Sequence, residues 1–175
     1  MTVIKYSNLK SLNLLHQGKV RDIYDLNNDS ILIVTSDRLS AFDVIMNEPI
    51  PSKGEVLTKI SNFWFKKLQN IVPNHLLNLD PLDFVTKDEE KIIINRSVVV
   101  KKLKPIPIEA IVRGYIIGSG WNEYQKNQSI CNISLPKKLR LGEQLPEPMF
   151  TPSNKADIGN RDENISIDDL SLIHI

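Results

Sequence analysis

The chain has 175 residues, 41% apolar and 25% charged, the composition of an ordinary soluble globular protein with one domain or two small lobes. Its 22 Lys and Arg against 21 Asp and Glu leave a net charge of +1, which gives no ground for a nucleic-acid coat or an anionic membrane as partner. The single cysteine, Cys131, excludes an internal disulfide and a Cys-rich zinc site.

The first segment, MTVIKYSNLK, lacks an apolar signal core, and no later run approaches the ~20 residues of a membrane span, so the cytoplasm is the default compartment. His16 to Lys19 is turn-like. Lys19 to Leu26, the polar turn Asn27-Asn28-Asp29, and Ile31 to Thr35 predict an antiparallel hairpin entered through Gly18. Glu55 to Gln69 is the clearest helix, because Val56, Leu57, Ile60, Phe63, Trp64 and Leu68 share one face. Phe63 and Trp64 are expected to pack in the core rather than stack on a ligand, with Ser52 and Glu55 as a capping box. Asp80 to Lys91 is acidic and reads as loop, and Ser97 to Leu103 as a strand. Pro105 and Pro107 then mark a lobe boundary near Lys104.

Beyond that boundary, Ile106 to Gly120 is an apolar run holding one acid, Glu109, and one cation, Arg113, followed by the turn Gly118-Ser119-Gly120. Burying either charge alone would cost several kcal/mol. The run therefore reads either as a site wall that presents Arg113 to an anion, or as a structural Glu109–Arg113 pair at helical spacing. Gly120 to Lys126 reads as a short helix, Leu135 to Pro152 as an extended surface loop, and Asn164 to Asp169 as a helix start capped by Ser166.

Three further segments carry chemistry-bearing residues. Gly18-Lys19-Val20-Arg21-Asp22 has a glycine that lets backbone N–H groups approach phosphate oxygens, with cations beside it, or is simply a solvated turn. Thr35 to Asp43 gathers Asp37, Arg38 and Ser40 at a strand end, as a binding cluster or a capped turn. Phe150 to Lys155, with Arg161 to Asn164 beyond it, is polar and loop-like. His16, His75 and His174 show no metal spacing, no metal ligand set is visible, and no nucleophile–His–acid arrangement identifies catalytic residues.

With GKVRDIYDL, TSDRLSAFDVIMNEPIPSKG, LTKISNFWF, VVVKKLKPIPIEAIVRGYIIGSGWNEY and LPEPMFTPSNKADIGNRDENIS in order from Gly18 to Ser166, the chain resembles the SAICAR synthetase family of de novo purine synthesis. The resemblance implies an ATP-dependent ligase. ATP activates the carboxylate of carboxyaminoimidazole ribonucleotide as an acyl phosphate, and the amine of L-aspartate displaces the phosphate. It implies an α+β fold: an antiparallel β-rich N-terminal lobe over residues 1–104, like that of protein kinases or ATP-grasp enzymes, then the start of a second α+β lobe over 105–175, with ATP between lobes. It also implies small-molecule partners, with neither nucleic acid nor membrane.

Residue by residue, the resemblance assigns Gly18, Lys19, Val20 and Arg21 to the loop over the ATP phosphates. Val100, Lys101 and Leu103 fall in a hinge that meets adenine through its backbone. Arg113 would hold the ribonucleotide, Gly118 and Ser119 its phosphate, and Glu109 would orient that wall. Asp37, Arg38 and Ser40 would line the substrate cleft on the aspartate side, and Lys155 and Asp162 belong to a loop closing over the substrates. Arg161 stands where many members carry His. The family pattern continues into an Asp-x-Lys-hydrophobic-Glu-Phe-Gly strand whose carboxylates hold magnesium, and into arginines that complete the ribonucleotide site. None of these is in this sequence, so the expectation is an N-terminal fragment, weak or inactive alone, or a non-catalytic nucleotide-binding relic.

Overall fold

A computed structural model describes residues 2–41, 44–155 and 163–173 of the chain. The fold is α+β, and the chain divides into two compact units, Met1–Lys104 and Pro105–Ile175.

The first unit is built on a four-stranded antiparallel sheet of β1 (Asn13–Gln17), β2 (Arg21–Asp25), β3 (Ser30–Thr35) and β6 (Ser97–Lys101), in the order β1-β2-β3-β6. The expected hairpin is β2–β3. Its turn closes because Asn27 Oδ1 accepts the N–H groups of Asp29 and Ser30, each at 2.9 Å. Gly18 opens onto a further strand, β1, so the hairpin is the middle of a meander. Residues alternate across β3, and Leu32 and Val34 turn inward against Tyr24, Val99, Leu9 and Ile93. Full burial of each such side chain contributes about 1.5–3 kcal/mol. The Tyr24 hydroxyl meets Ser7 Oγ at 2.8 Å and accepts Leu9 N–H at 3.1 Å, which ties the N-terminal segment to the sheet. A short hairpin, β4 (Ser40–Ala41) with β5 (Val44–Ile45), follows β3.

Helix α1 (Lys53–Leu68) lies where the periodicity places it but turns its other face to the sheet. Gly54 and Thr58 are its buried residues, whereas Phe63 and Trp64 are 57% and 49% exposed, and Val56, Leu57, Ile60 and Leu68 are exposed too. The expected core packing of Phe63 and Trp64 is therefore corrected. Polar bonds seat the helix instead: Asp37 Oδ1 accepts Gly54 N–H at 2.9 Å, and Arg96 pairs with Glu55 at 3.1 Å. Ser52 is left-handed (φ 63°) and makes no side-chain cap, so the expected capping box is absent there.

A capping box does occur in the stretch read as loop. Residues 80–91 hold a 3-10 turn, Pro81–Phe84, and the start of α2 (Lys87–Ile93), capped by Thr86 with Glu89.

The second unit carries β7 (Ile108–Glu109), β8 (Val112–Tyr115), α3 (Gly118–Asn127), β9 (Ser129–Ile130), β10 (Ile133–Ser134), β11 (Gln144–Phe150), β12 (Ser153–Asn154) and α4 (Ile167–Ile173). Strand β11 pairs with β8, where an extended surface loop was expected. Its prolines, Pro146 and Pro148, fall in the irregular stretch between the Gln144 and Met149 rungs, where no ladder N–H is needed. The Gly118-Ser119-Gly120 turn is the first turn of α3. Ser166 precedes α4 and caps it, with Asp169 N–H donating to Ser166 Oγ at 3.0 Å. The core here is Ile116, Tyr124, Ile130, Cys131 and Leu145.

Candidate functional site

In the first unit the Gly18–Arg21 turn is closed by Gly18 N–H donating to Arg21 O at 2.7 Å. Lys19 and Arg21 carry their charges on exposed side chains, and Gly18 brings no side chain to the turn. Arg38 lies beneath the turn with no exposed surface. Its Nη2 donates to Gly18 O at 2.8 Å and Asp22 Oδ1 at 2.7 Å, its Nε to Lys19 O at 3.1 Å and its Nη1 to Lys5 O. Asp37 is equally buried, accepting Ile4 and Gly54 N–H groups and the Arg96 guanidinium at 2.9 Å. Burial alone would raise the Asp37 carboxyl; the two backbone donors and Arg96 outweigh it and hold the pKa below the ordinary carboxylate value. Asp37 and Arg38 therefore have no exposed surface, and both charges are bonded inside the protein. Ser40 is half-buried in β4.

Val20 and Arg21 line a cavity of about 360 Å³, floored by Ile33 and Val98 of the sheet and walled by Thr58 and Phe65 of α1. Thr58 is 6% exposed, and its hydroxyl has no hydrogen-bond partner in the protein. His75, also at this cavity, is held below its usual pKa first by burial and then by the Arg21 charge. At the other end of β6, Lys101 and Leu103 line an open hollow of about 740 Å³ with Asn27 and Asp29.

The backbone of β6 is largely committed. It pairs with β3 along one edge, as in the Ile31↔Val100 rung, while Lys101 N–H donates to His75 O and Val99 O accepts Leu77 N–H, each at 2.9 Å. Lys102 N–H donates to Asp29 O at 2.8 Å. Of the three residues expected in the hinge, Val100 and Lys101 lie within the ladder and Leu103 lies beyond it.

In the second unit Arg113 on β8 donates from Nε to Thr151 Oγ1 at 2.9 Å, from Nη2 to Ser119 Oγ at 2.8 Å and from Nη1 to Ile117 O at 3.4 Å. Two features permit this. Gly118 enters α3 with φ +57°, a conformation that favours glycine, and a Cβ on Gly120 would sit 3.2 Å from Arg113 Nε. Glu109 is exposed on β7, opposite Ser153, and no ion pair among the described residues joins it to Arg113. Lys155 is exposed and anchored by its N–H to Pro107 O at 3.1 Å. Asp162 and Arg161 lie outside the described residues.

The fold thus joins Arg113 to Ser119 directly and seats Gly18, Lys19, Val20 and Arg21 on one turn. Sequence reasoning missed Thr151, Ser36, Asp22, Arg96 and Thr58. The first three sit inside segments it had singled out; Arg96 and Thr58 carry no local signal. Among the described residues, no group of three or more His, Cys, Asp or Glu is placed to hold a metal ion, and no helix is long and apolar enough to cross a membrane.

A family model described as SAICAR synthetase matches residues 14–175. The phosphoribosylaminoimidazole-succinocarboxamide synthase of Methylobacillus flagellatus is 59% identical over 169 residues, 95% of this chain and 57% of that protein. Its namesake from Azoarcus sp. is 59% identical over 160 residues, 91% of this chain and 51% of that protein. The chain thus spans about half the length of these curated relatives. Among solved structures, the SAICAR synthase of Saccharomyces cerevisiae complexed with SAICAR superposes with a TM-score of 0.87 at 41% identity, covering 98% of this chain and 58% of that one. A type-2 SAICAR synthetase in complex with ADP shares the fold at 21% identity, with a TM-score of 0.64 over 91% of this chain and 61% of that one.

Proposed function

The chain belongs to the SAICAR synthetase family, and on that premise we propose that it carries the nucleotide and ribonucleotide half-sites of an ATP-dependent ligase. The reaction joins L-aspartate to carboxyaminoimidazole ribonucleotide, giving SAICAR, ADP and phosphate. ATP transfers its γ-phosphoryl group to the ribonucleotide carboxylate. The aspartate nitrogen then attacks the acyl carbon, its C–N bond forms as the C–O bond to phosphate breaks, and the amine gives up a proton. All three substrates are anionic, so cations and amide donors do the work that a nucleophilic side chain does elsewhere.

The observation that carries the reading is Arg113 held by Thr151 and Ser119 at the first turn of α3. A guanidinium, a hydroxyl and the N–H groups of a helix N-terminus converge there, the donor set that suits a phosphate or carboxylate. In the first unit the Gly18–Arg21 turn supplies amides and two cations at one end of the sheet, with Leu103 at the other. Five-residue strands at ~3.3 Å per residue separate these ends by the reach of an extended nucleoside triphosphate. The buried, unpartnered Thr58 hydroxyl beside Arg21 gives the cavity there a polar group suited to a ligand or water. Among the described residues, no group of three or more His, Cys, Asp or Glu is placed to hold a magnesium ion.

A coupled assay on the purified chain tests the proposal. ADP release dependent on both aspartate and ribonucleotide supports a competent ligase. Ribonucleotide and ATP binding without turnover supports the half-sites alone. Absence of both binding events in a folded chain sinks the reading.

A further inference from the structure

We propose that Arg38 and Ser36 are positioning residues that convert the Gly18–Arg21 turn into an anion-binding surface by fixing which way its peptides face. The inference rests on the reading of that turn as the site of the nucleotide phosphates.

Three successive carbonyls of the turn are bonded to one short segment. Gly18 O and Lys19 O accept from Arg38 at 2.8 and 3.1 Å. Val20 O accepts from Ser36 N–H at 3.0 Å and from Ser36 Oγ at 2.8 Å. In a trans peptide the C=O and N–H leave opposite edges of the plane. Drawing the Gly18 and Lys19 carbonyls down onto Arg38 therefore directs the N–H groups of Lys19 and Val20 to the other side of the turn. Consecutive amides aimed one way form an anion cradle.

The chemistry explains why the residue beneath is arginine. Its planar fork reaches three carbonyls and Asp22 at once, which the single ammonium of lysine cannot do. Asp22 neutralises the buried charge and is itself fixed by Ser7, whose N–H and Oγ donate to Asp22 Oδ2 at 3.0 and 2.6 Å. The clamp draws on residues from Lys5 to Arg38 and leaves no guanidinium surface for a substrate.

The test uses the ¹⁵N-labelled full chain as wild type, Arg38→Lys and Ser36→Ala, titrated with ATP, with tripolyphosphate and with the ribonucleotide. In the wild type, ATP and tripolyphosphate are expected to move the Lys19 and Val20 amide resonances saturably. Arg38→Lys is expected to weaken both by about tenfold or more and Ser36→Ala by less, with ribonucleotide affinity within about twofold of wild type. A merely structural role would weaken all three ligands together, and that result overturns the proposal. So does a folded Arg38→Lys with unchanged affinity, or ATP binding that leaves the Lys19 and Val20 amides unmoved; in both cases the nucleotide reading survives. If tripolyphosphate moves those amides and ATP does not bind, the nucleotide reading falls and the positioning role stands. If neither anion binds the wild type, both fall. Should Arg38→Lys fail to fold, Ser36→Ala decides: selective loss of anion affinity supports the role, and wild-type affinity overturns it.

Discussion

Arg113 Nη2 donates to Ser119 Oγ at 2.8 Å while its Nε holds the fully buried Thr151 hydroxyl at 2.9 Å. One hydroxyl is exposed and one is not, so the guanidinium is fixed from behind and open in front. Arg113→Ala is expected to weaken ribonucleotide binding by about 30- to 100-fold, the loss of a charge-assisted pair, and ATP binding by less than about twofold. Calorimetric titration of the chain with each ligand checks this, and an equal effect on both counts against the assignment.

Gly54→Ala is expected to destabilise the first unit by at least about 2 kcal/mol. A Cβ there would lie 2.2 Å from Thr35 O, a backbone atom, and 2.9 Å from Arg96 Nη1, at the point where Asp37 holds the helix. Gly114→Ala is the contrast: a Cβ there meets nothing within 4 Å, and the change is expected to stay within about 0.5 kcal/mol. Urea unfolding of the two variants gives the comparison.

Trp64→Ala is expected to cost less than about 1 kcal/mol, against the 3–5 kcal/mol typical of a buried tryptophan. The indole is about half exposed and has Lys67 Nζ 5.1 Å from its ring. A cost in the buried range would show that the apolar face of α1 is covered in solution.

Acid should loosen the N-terminal segment from α2 through Glu89. Burial pushes this carboxyl up, but the Ser11 hydroxyl and the N–H groups of Lys10, Ser11 and Thr86 outweigh it, and its pKa is held at about 2 against an ordinary 4.5. Because the folded pKa is depressed, the contribution is fully present above the ordinary value and is lost as pH falls from there towards about 2. Glu89→Gln should flatten the stability profile in that window. An unchanged acid profile in the variant would remove Glu89 from this role.

Much of the fold was legible because it is written in short-range pattern. The Asn27–Asp29 turn, the alternation in β3, and the apolar run of β6 each fall within a few residues. Helix α2 was hidden by its acidic composition, although Thr86 and Glu89 stand at capping-box spacing. Strand β11 was hidden by two prolines that its irregular pairing accommodates.

The site was legible only in part, for a different reason. The sequence by itself determined the family, the ordered motif blocks and the residues at which charge and glycine gather. It offered Asp37, Arg38 and Arg113 alike as candidate binding residues, Arg113 the more strongly because a glycine turn adjoins it. Only the tertiary structure separated them, because their partners lie far along the chain. Lys5 and Gly18 close over Arg38, Ile4 and Arg96 close over Asp37, while Arg113 meets hydroxyls from Ser119 and Thr151 and keeps part of its guanidinium exposed. Asp37 and Arg38 spend their charges on donors and acceptors of their own protein, whereas Arg113 stays partly exposed. Contacts spanning 6 to 59 positions decide which, and no local pattern encodes them.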